Sequence, residues 1–183
     1  MGIYTCTEME EILKRYGDTV YRMAFIQVKN RDTADDIYQD VWMKLFRQKS
    51  RIEPEEHLRA WLLRTCVSCC KDYWKSAWIR RVSTMVYGGE EEAVDGYSGH
   101  SGYDGYDGDD AAGYLTECVR ALPEKYRTII HLYYYEDYSQ KEIADMLHMK
   151  ENTVASRMAR GRERLKRMLE EGEEKGYEFS GEL

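Results

Sequence analysis

Proline is nearly absent: only Pro54 and Pro123 occur in 183 residues, so long uninterrupted helices are permitted. Long apolar runs are missing too. No stretch approaches the roughly 18–20 residues of a membrane span, so no membrane insertion is expected. The opening "MGIYTCTEMEEILKRYG" lacks the charged-then-apolar order of a signal peptide. Its Met1-Gly2 start does not continue into a myristoylation motif, because Cys6 stands at the sixth position. The five cysteines are odd in number and three crowd into "CVSCC", which argues against a disulfide framework and for a reducing cytosol. The chain is therefore expected to be cytoplasmic.

Basic residues are missing from one region altogether. Residues 83–114 contain no Lys or Arg and eight acids. Residues 171–183 hold one basic and five acidic side chains. By contrast, residues 1–82 carry 15 basic and 12 acidic side chains, and residues 115–170 carry 11 and nine. The formal net charge of −7 thus belongs to a middle segment and a tail, between and beyond two mildly basic blocks.

The middle segment, "YGGEEEAVDGYSGHSGYDGYDGDDAAG", is glycine, acid and tyrosine with almost no aliphatic residue. It cannot bury enough apolar surface to offset its ordering entropy. A flexible, self-repelling linker over 83–114 is expected, with an r.m.s. span of roughly 30 Å. The expected organisation is two small helical domains, 7–82 and 115–170, joined by that linker and followed by an acidic tail at 171–183. The fold class is all-α.

In the first block, Thr7 and Glu10 fit a capping box, and Met9, Ile12, Leu13, Tyr16, Val20 and Ala24 follow at helical spacing. Asp32 is placed to cap a second helix, whose Ala34, Ile37, Val41 and Leu45 share a face. Asp35, Asp36, Gln39 and Asp40 lie largely off that face. A polar loop leads to a third helix from about Leu58. Its core stripe runs through Leu58, Leu62, Cys66, Cys69 and Tyr73. At 100° per residue, Arg64, Ser68, Lys71 and Lys75 gather on the opposite side, flanked by Trp61, Trp74 and Trp78.

In the second block, Pro123 suits the first turn of a helix running to Tyr135, and Ser139 with Glu142 forms a capping box. A turn of three or four residues then leads into a long basic helix. Ala144 in one helix and Val154 in the next suit a helix-turn-helix, with Ile143, Leu147, Met149, Val154 and Met158 packing the pair. Val154, Met158, Leu165 and Met168 make the inner face of the basic helix, while Arg157, Arg160, Arg164 and Arg167 line its outer side. A helix of this kind fits the DNA major groove, where its first turns reach base edges and later arginines meet phosphates. The bland alternative is a solvated charged face, but only Glu163 offers an acid within "NTVASRMARGRERLKR".

The order of these pieces is more specific than any one of them. "DTADDIYQDV", "AWLLRT", "LPEKYR", "SQKEIADML" and "NTVASRMARGRERL" together resemble the extracytoplasmic-function branch of bacterial RNA polymerase sigma factors, over about residues 9–82 and 115–169. The resemblance implies a protein that is not an enzyme but binds core RNA polymerase and directs it to promoter DNA. It assigns polymerase binding to Asp35, Asp36, Gln39 and Asp40. It assigns the promoter minus-10 element to the loop at 48–57 and the helix at 58–76, with Arg64, Ser68, Lys71 and Lys75 as contacts. It assigns the minus-35 element to Thr153, Ser156, Arg157, Arg160 and Arg164. An anti-sigma factor is the further partner implied, and the free chain is expected to be a monomer.

Some positions depart from the family pattern. His148 stands where glycine is usual in the turn, Lys150 replaces a capping type, and Asn152 is placed to act as the cap instead. Ala155 replaces a common lysine, and Ser68 stands where asparagine is frequent. Trp61 suits base stacking and core packing equally well. "CVSCC" has no second pair of ligands at zinc-site spacing, so buried reduced thiols are expected, with no metal and no cofactor. The alternative function is an autonomous helix-turn-helix regulator, which would leave the first block without a purpose.

Overall fold

The computed structural model describes residues 3–53, 55–87 and 111–173, and the side chains of all these except 78–87, 111–112 and 173. The described residues form seven helices and no strand. The chain divides into two compact units, residues 1–99 and 100–183.

In the first unit, α1 (Cys6–Val28), α2 (Arg31–Phe46) and α3 (Glu55–Tyr87) each pack on the other two. Val20, Met23 and Ala24 of α1 and Ala34, Val41 and Leu45 of α2 are all buried. The third wall is the predicted α3 stripe: Leu58, Leu62, Cys66 and Cys69 are buried and Tyr73 is half-buried. Each fully buried side chain of this size contributes about 1.5–3 kcal/mol.

Three helix starts differ from expectation, and one of them is that of α3, which begins at Glu55 rather than about Leu58, so residues 55–57 of the loop read at 48–57 are helical. The capping box of α1 is Thr5 with Glu8, not Thr7 with Glu10. Both pairs have the same spacing. The earlier one wins because Tyr4, just before it, is buried and fixes where the chain enters the helix. Similarly, Asn30 rather than Asp32 caps α2, its side chain accepting from the Thr33 amide at 2.9 Å. Lys29 turns left-handed (φ 61°) to end α1, so the connection is only two residues long and Asp32 falls inside the first turn of α2. There its charge favours the positive end of the helix.

The second unit contains α4 (Ala111–Ala121), α5 (Glu124–Tyr134), α6 (Gln140–Leu147) and α7 (Glu151–Glu173). Pro123 is the cap of α5 rather than its first residue. The Ser139–Glu142 capping box forms as expected. α7 packs against each of the other three helices. Val154, Met158 and Leu165 are buried; Leu169, rather than half-buried Met168, continues the inner face. The helices α5 and α7 approach closely at Gly161, where a Cβ would stand 3.1 Å from Ile130 Cγ1. Residues 88–110, the bulk of the segment read as a linker, and 174–183 of the tail lie outside the described residues. Helix α3 continues to Tyr87 and α4 starts at Ala111, so helix extends into both ends of the 83–114 segment.

The cysteines bear on compartment and on metal binding. Cys6 is exposed, whereas Cys66, Cys69, Cys70 and Cys118 are buried. A hydrogen bond with Cys70, then burial, raises the pKa of the Cys66 thiol; burial also raises that of Cys69. Among the described residues no group of three or more His, Cys, Asp or Glu side chains could hold a metal ion. A thiol reagent should therefore label one cysteine per native chain quickly and all five only after denaturation. Rapid labelling of three or more in the native protein would show that the α3 core is open.

Candidate nucleic-acid interface

The turn between α6 and α7 is three residues, His148, Met149 and Lys150. His148 adopts φ 53° and ψ 48°, the left-handed conformation that a glycine reaches without strain. Met149 then donates its amide to the Ala144 carbonyl at 2.9 Å, closing α6. Helix α7 opens on Lys150, whose carbonyl accepts from the amides of Thr153 and Val154. Asn152 lies inside the first turn, so it is not the cap. The backbone carbonyl of Lys150 accepts the first amides of the helix.

Burial of Val154, Met158 and Leu165 fixes the roll of α7. Thr153, Ser156, Arg157, Arg160 and Arg164 consequently share the opposite side. Ser156, Arg160 and Arg164 are exposed; Thr153 and Arg157 are half-buried. The arginines are held by neighbours rather than left to wander. Arg157 Nη1 donates to Met149 Sδ at 3.3 Å, which ties it to the turn. The Arg164 guanidinium lies 5.6 Å from the centre of the Tyr126 ring. Burial raises the Tyr126 pKa, but hydrogen bonds to Lys125 and Arg160 and the charge of Arg164 outweigh it and bring it below the usual tyrosine value. Tyr126 on α5 thus props two of the outer arginines. Ser156 Oγ donates to its own helix, at the Thr153 carbonyl, leaving an oxygen that accepts. Arg162 is different: it faces the other way and stacks over Tyr133 and Tyr134, 5.5 Å from each ring centre. Its charge belongs to the packing of α5 on α7.

On α3 of the first unit, Arg64, Ser68, Lys71 and Lys75 are all exposed and share one face. Of the three flanking tryptophans, Trp61 is half-buried, the Trp78 side chain is not described, and Trp74 is 36% exposed. Trp74 is held edge-on by Tyr73, with ring centres 5.4 Å apart. Tyr73 in turn accepts from Thr33 Oγ1 at 3.4 Å, which fixes it to α2.

A third surface lies along α2. Asp35, Asp36, Gln39 and Asp40 are all exposed. The hydroxyl of Tyr21, its pKa raised first by burial and then by Asp35, engages Asp35 from α1. Met43 (46% exposed) and Phe46 (51%) extend the same side toward the end of the helix. Periodicity does not single them out, although both stand off the Ala34–Ile37–Val41–Leu45 stripe and are apolar. That mismatch is the signal by which a sequence reveals them. Lys44 is exposed but not idle: its Nζ donates to Cys69 Sγ at 3.1 Å, pinning α2 to α3.

The regions that carry these surfaces match known families. Residues 12–80 match the family described as Sigma-70 region 2, and residues 112–165 match Sigma-70, region 4. The RNA polymerase sigma factor SigV of Bacillus subtilis is 29% identical over 140 residues, covering 76% of this chain and 78% of that protein. The ECF RNA polymerase sigma factor SigW of the same organism is 27% identical over 168 residues, covering 87% of each. Among solved structures, the sigma factor RpoE bound to the anti-sigma factor NepR from Bartonella quintana has the same fold. Its TM-score is 0.68 at 20% identity, over 88% of this chain and 96% of that one. CnrH in complex with the cytosolic domain of CnrY gives 0.62 at 18%, over 91% and 90%.

The left-handed turn residue offers a direct check on this geometry. His148→Gly removes a side chain from an αL position, whereas His148→Val puts a β-branched one there. The valine variant should be less stable than the glycine variant by about 1–2 kcal/mol in denaturant melts followed on α7. Equal stabilities would mean that the turn is not left-handed.

Proposed function

The chain belongs to the extracytoplasmic-function branch of the sigma-70 family, and on that premise we propose how its three surfaces divide the work of promoter selection. It is an RNA polymerase sigma factor that directs core polymerase to promoters and assists duplex opening. The observation that carries the division is the placement of exposed basic stripes on two separate units, α3 and α7, each within a region that matches the family. An autonomous helix-turn-helix regulator would have no use for the first of these units.

The second unit, residues 115–170, takes the minus-35 element. Thr153, Ser156, Arg157 and Arg160 stand in the first turns of α7, where a helix in the major groove meets base edges. Arg164, farther along, meets phosphate and displaces counterions. In residues 7–82, α3 takes the minus-10 element with Arg64, Ser68, Lys71 and Lys75. Trp74 beside them offers a ring face for a base leaving its stack, an interaction of about 1–3 kcal/mol. The segment at 48–57, whose last three residues open α3, borders the same element. Polymerase binds the α2 face, where Asp36, Gln39 and Asp40 supply polar register and Met43 and Phe46 supply apolar area.

Residues 83–114 connect the two units as an acidic tether and 171–183 form an acidic tail. The chain works in the cytoplasm, as specificity subunit and not as catalyst. No described helix is long and apolar enough to cross a membrane. Since both solved relatives above are held in complexes, the first with an anti-sigma factor, an anti-sigma factor is the regulatory partner to seek.

Purified chain and core polymerase should transcribe a subset of a randomised promoter library, and the selected templates should share two separated elements. Arg157→Ala or Arg160→Ala should weaken use of the cognate minus-35 element by about 1–3 kcal/mol where the contact is bidentate to guanine. Lys71→Ala and Lys75→Ala should instead weaken binding across sequences and flatten the salt dependence by roughly one phosphate each. Phe46→Ala should cost more than about 1 kcal/mol in polymerase affinity and leave the fold intact. Undiminished initiation by all of these variants would overturn the assignment.

A further inference from the structure

The loop between α2 and α3 has few means of holding its shape by packing. Ile52 is its only aliphatic residue and is half-buried. Beneath residues 51–53 lies a cleft of about 650 Å³, walled by Tyr4, Glu8, Arg15, Arg51, Glu53 and Glu55 among others. A segment over a cleft keeps its position through polar ties. Those ties come from the start of α1: Tyr4 just before it and Glu8 in its first turn.

The Ile52 amide donates to the Tyr4 hydroxyl at 3.0 Å. The Tyr4 ring is buried, 6% exposed, so the hydroxyl is delivered by an anchored side chain. The Arg51 guanidinium lies 5.6 Å from the centre of that ring. It pairs with Glu8 Oε1 at 2.7 Å and with Glu53 at 3.0 Å. Glu8 has two duties: its other oxygen, Oε2, accepts from the Thr5 amide and hydroxyl in the capping box. One carboxylate therefore locks the start of α1 and grips the loop. The far end of the loop is held separately, where Glu55 accepts from Arg15 and from the Tyr16 hydroxyl at 2.9 Å. Just before these anchors in the chain, Lys49 and Ser50 are exposed.

We propose that the segment Ile3–Glu8, which leads into the first turn of α1, is a positioning element for the loop, with Tyr4 and Glu8 holding it in the shape in which it discriminates minus-10 sequences. This rests on the assignment of that loop to the minus-10 element. Tyr4 and Glu8 touch no DNA in this scheme. They act through Ile52 and Arg51. The Arg51–Glu8 pair is solvent-exposed, 49% and 30%, so alone it contributes little. The anchored hydroxyl of Tyr4 carries most of the effect, since without it the Ile52 amide has no partner in the folded loop.

The test uses the full chain with core polymerase on templates of fixed minus-35 sequence and singly varied minus-10 sequence. Tyr4→Phe keeps the ring and removes the acceptor; Glu8→Gln keeps an N3 capping side chain and removes the charge. The double variant should retain polymerase affinity and minus-35 dependence, while the ratio of cognate to varied minus-10 templates falls about fivefold or more. Lys49→Ala and Ser50→Ala serve as the reference within the loop. Should these change minus-10 selectivity while the double variant does not, the positioning role is wrong and the loop assignment stands. Should neither set change it, the loop assignment fails and the proposal with it. Loss of polymerase affinity or of α1 helicity in the double variant, in step with selectivity, would reduce Tyr4 and Glu8 to structural residues and also overturn the proposal.

Discussion

The burial of one side of α7 governs what the other side does. Val154, Met158 and Leu165 enter the core of the second unit, and Gly161 lets α7 close on α5. A helix has one roll angle. Once those residues are inside, Thr153, Ser156, Arg157, Arg160 and Arg164 are outside, on a common face. The core then adds a second level of control. Met149 in the turn and Tyr126 on α5 reach the arginines and restrict where their guanidinium groups stand. Arginine carries a large side-chain entropy, and partial ordering before DNA arrives reduces the loss on binding. Apolar packing and charge presentation are two consequences of one placement.

The first unit repeats this logic with three helices instead of one. α3 buries Leu58, Leu62, Cys66 and Cys69 and so turns Arg64, Ser68, Lys71 and Lys75 outward. α2 buries Ala34, Ile37, Val41 and Leu45 and turns its acids outward, together with Met43 and Phe46. The Lys44–Cys69 contact and the Thr33–Tyr73 contact link these two helices, so the acidic and basic faces are fixed relative to each other. The faces proposed for polymerase and for DNA are thereby set on one helical unit. On the proposed assignment, polymerase binding on α2 would fix the register of promoter contact on α3.

What was legible in the sequence follows from range. The helical period reports on residues three or four apart, and the core stripes and exposed faces of α2, α3 and α7 came through it. Caps were less secure. Thr5-x-x-Glu8 and Thr7-x-x-Glu10 have the same chemistry, and only the burial of Tyr4 decides between them. Asn30 lost to Asp32 on paper because the left-handed turn at Lys29, which shortens the connection, has no glycine to announce it. The Ser139–Glu142 box had no competitor and was placed correctly. The tie between Tyr4 and Ile52 spans 48 residues, and the contact of Arg162 with Tyr133 and Tyr134 about 30. No local pattern encodes either. The roles given to individual DNA- and polymerase-facing residues rest on their exposure and shared faces together with family membership.

The net charge of −7 now takes on a mechanistic meaning. Fields from exposed charges decay over about 8 Å at physiological ionic strength. Within that distance of α7 or of the outer face of α3, DNA meets mainly arginine and lysine. Beyond it, an approaching duplex meets a chain that is acidic on balance, with eight of its acids concentrated between residues 83 and 114. Long-range attraction is weak, whereas close contact is favourable. Such a chain gains little by searching DNA alone and much by being delivered to it. Core polymerase can supply that delivery, since on the proposed assignment binding through α2 brings the basic faces to DNA at high effective concentration. An acidic protein with two small basic stripes is therefore suited to recognising promoters as a subunit and ill suited to recognising them alone.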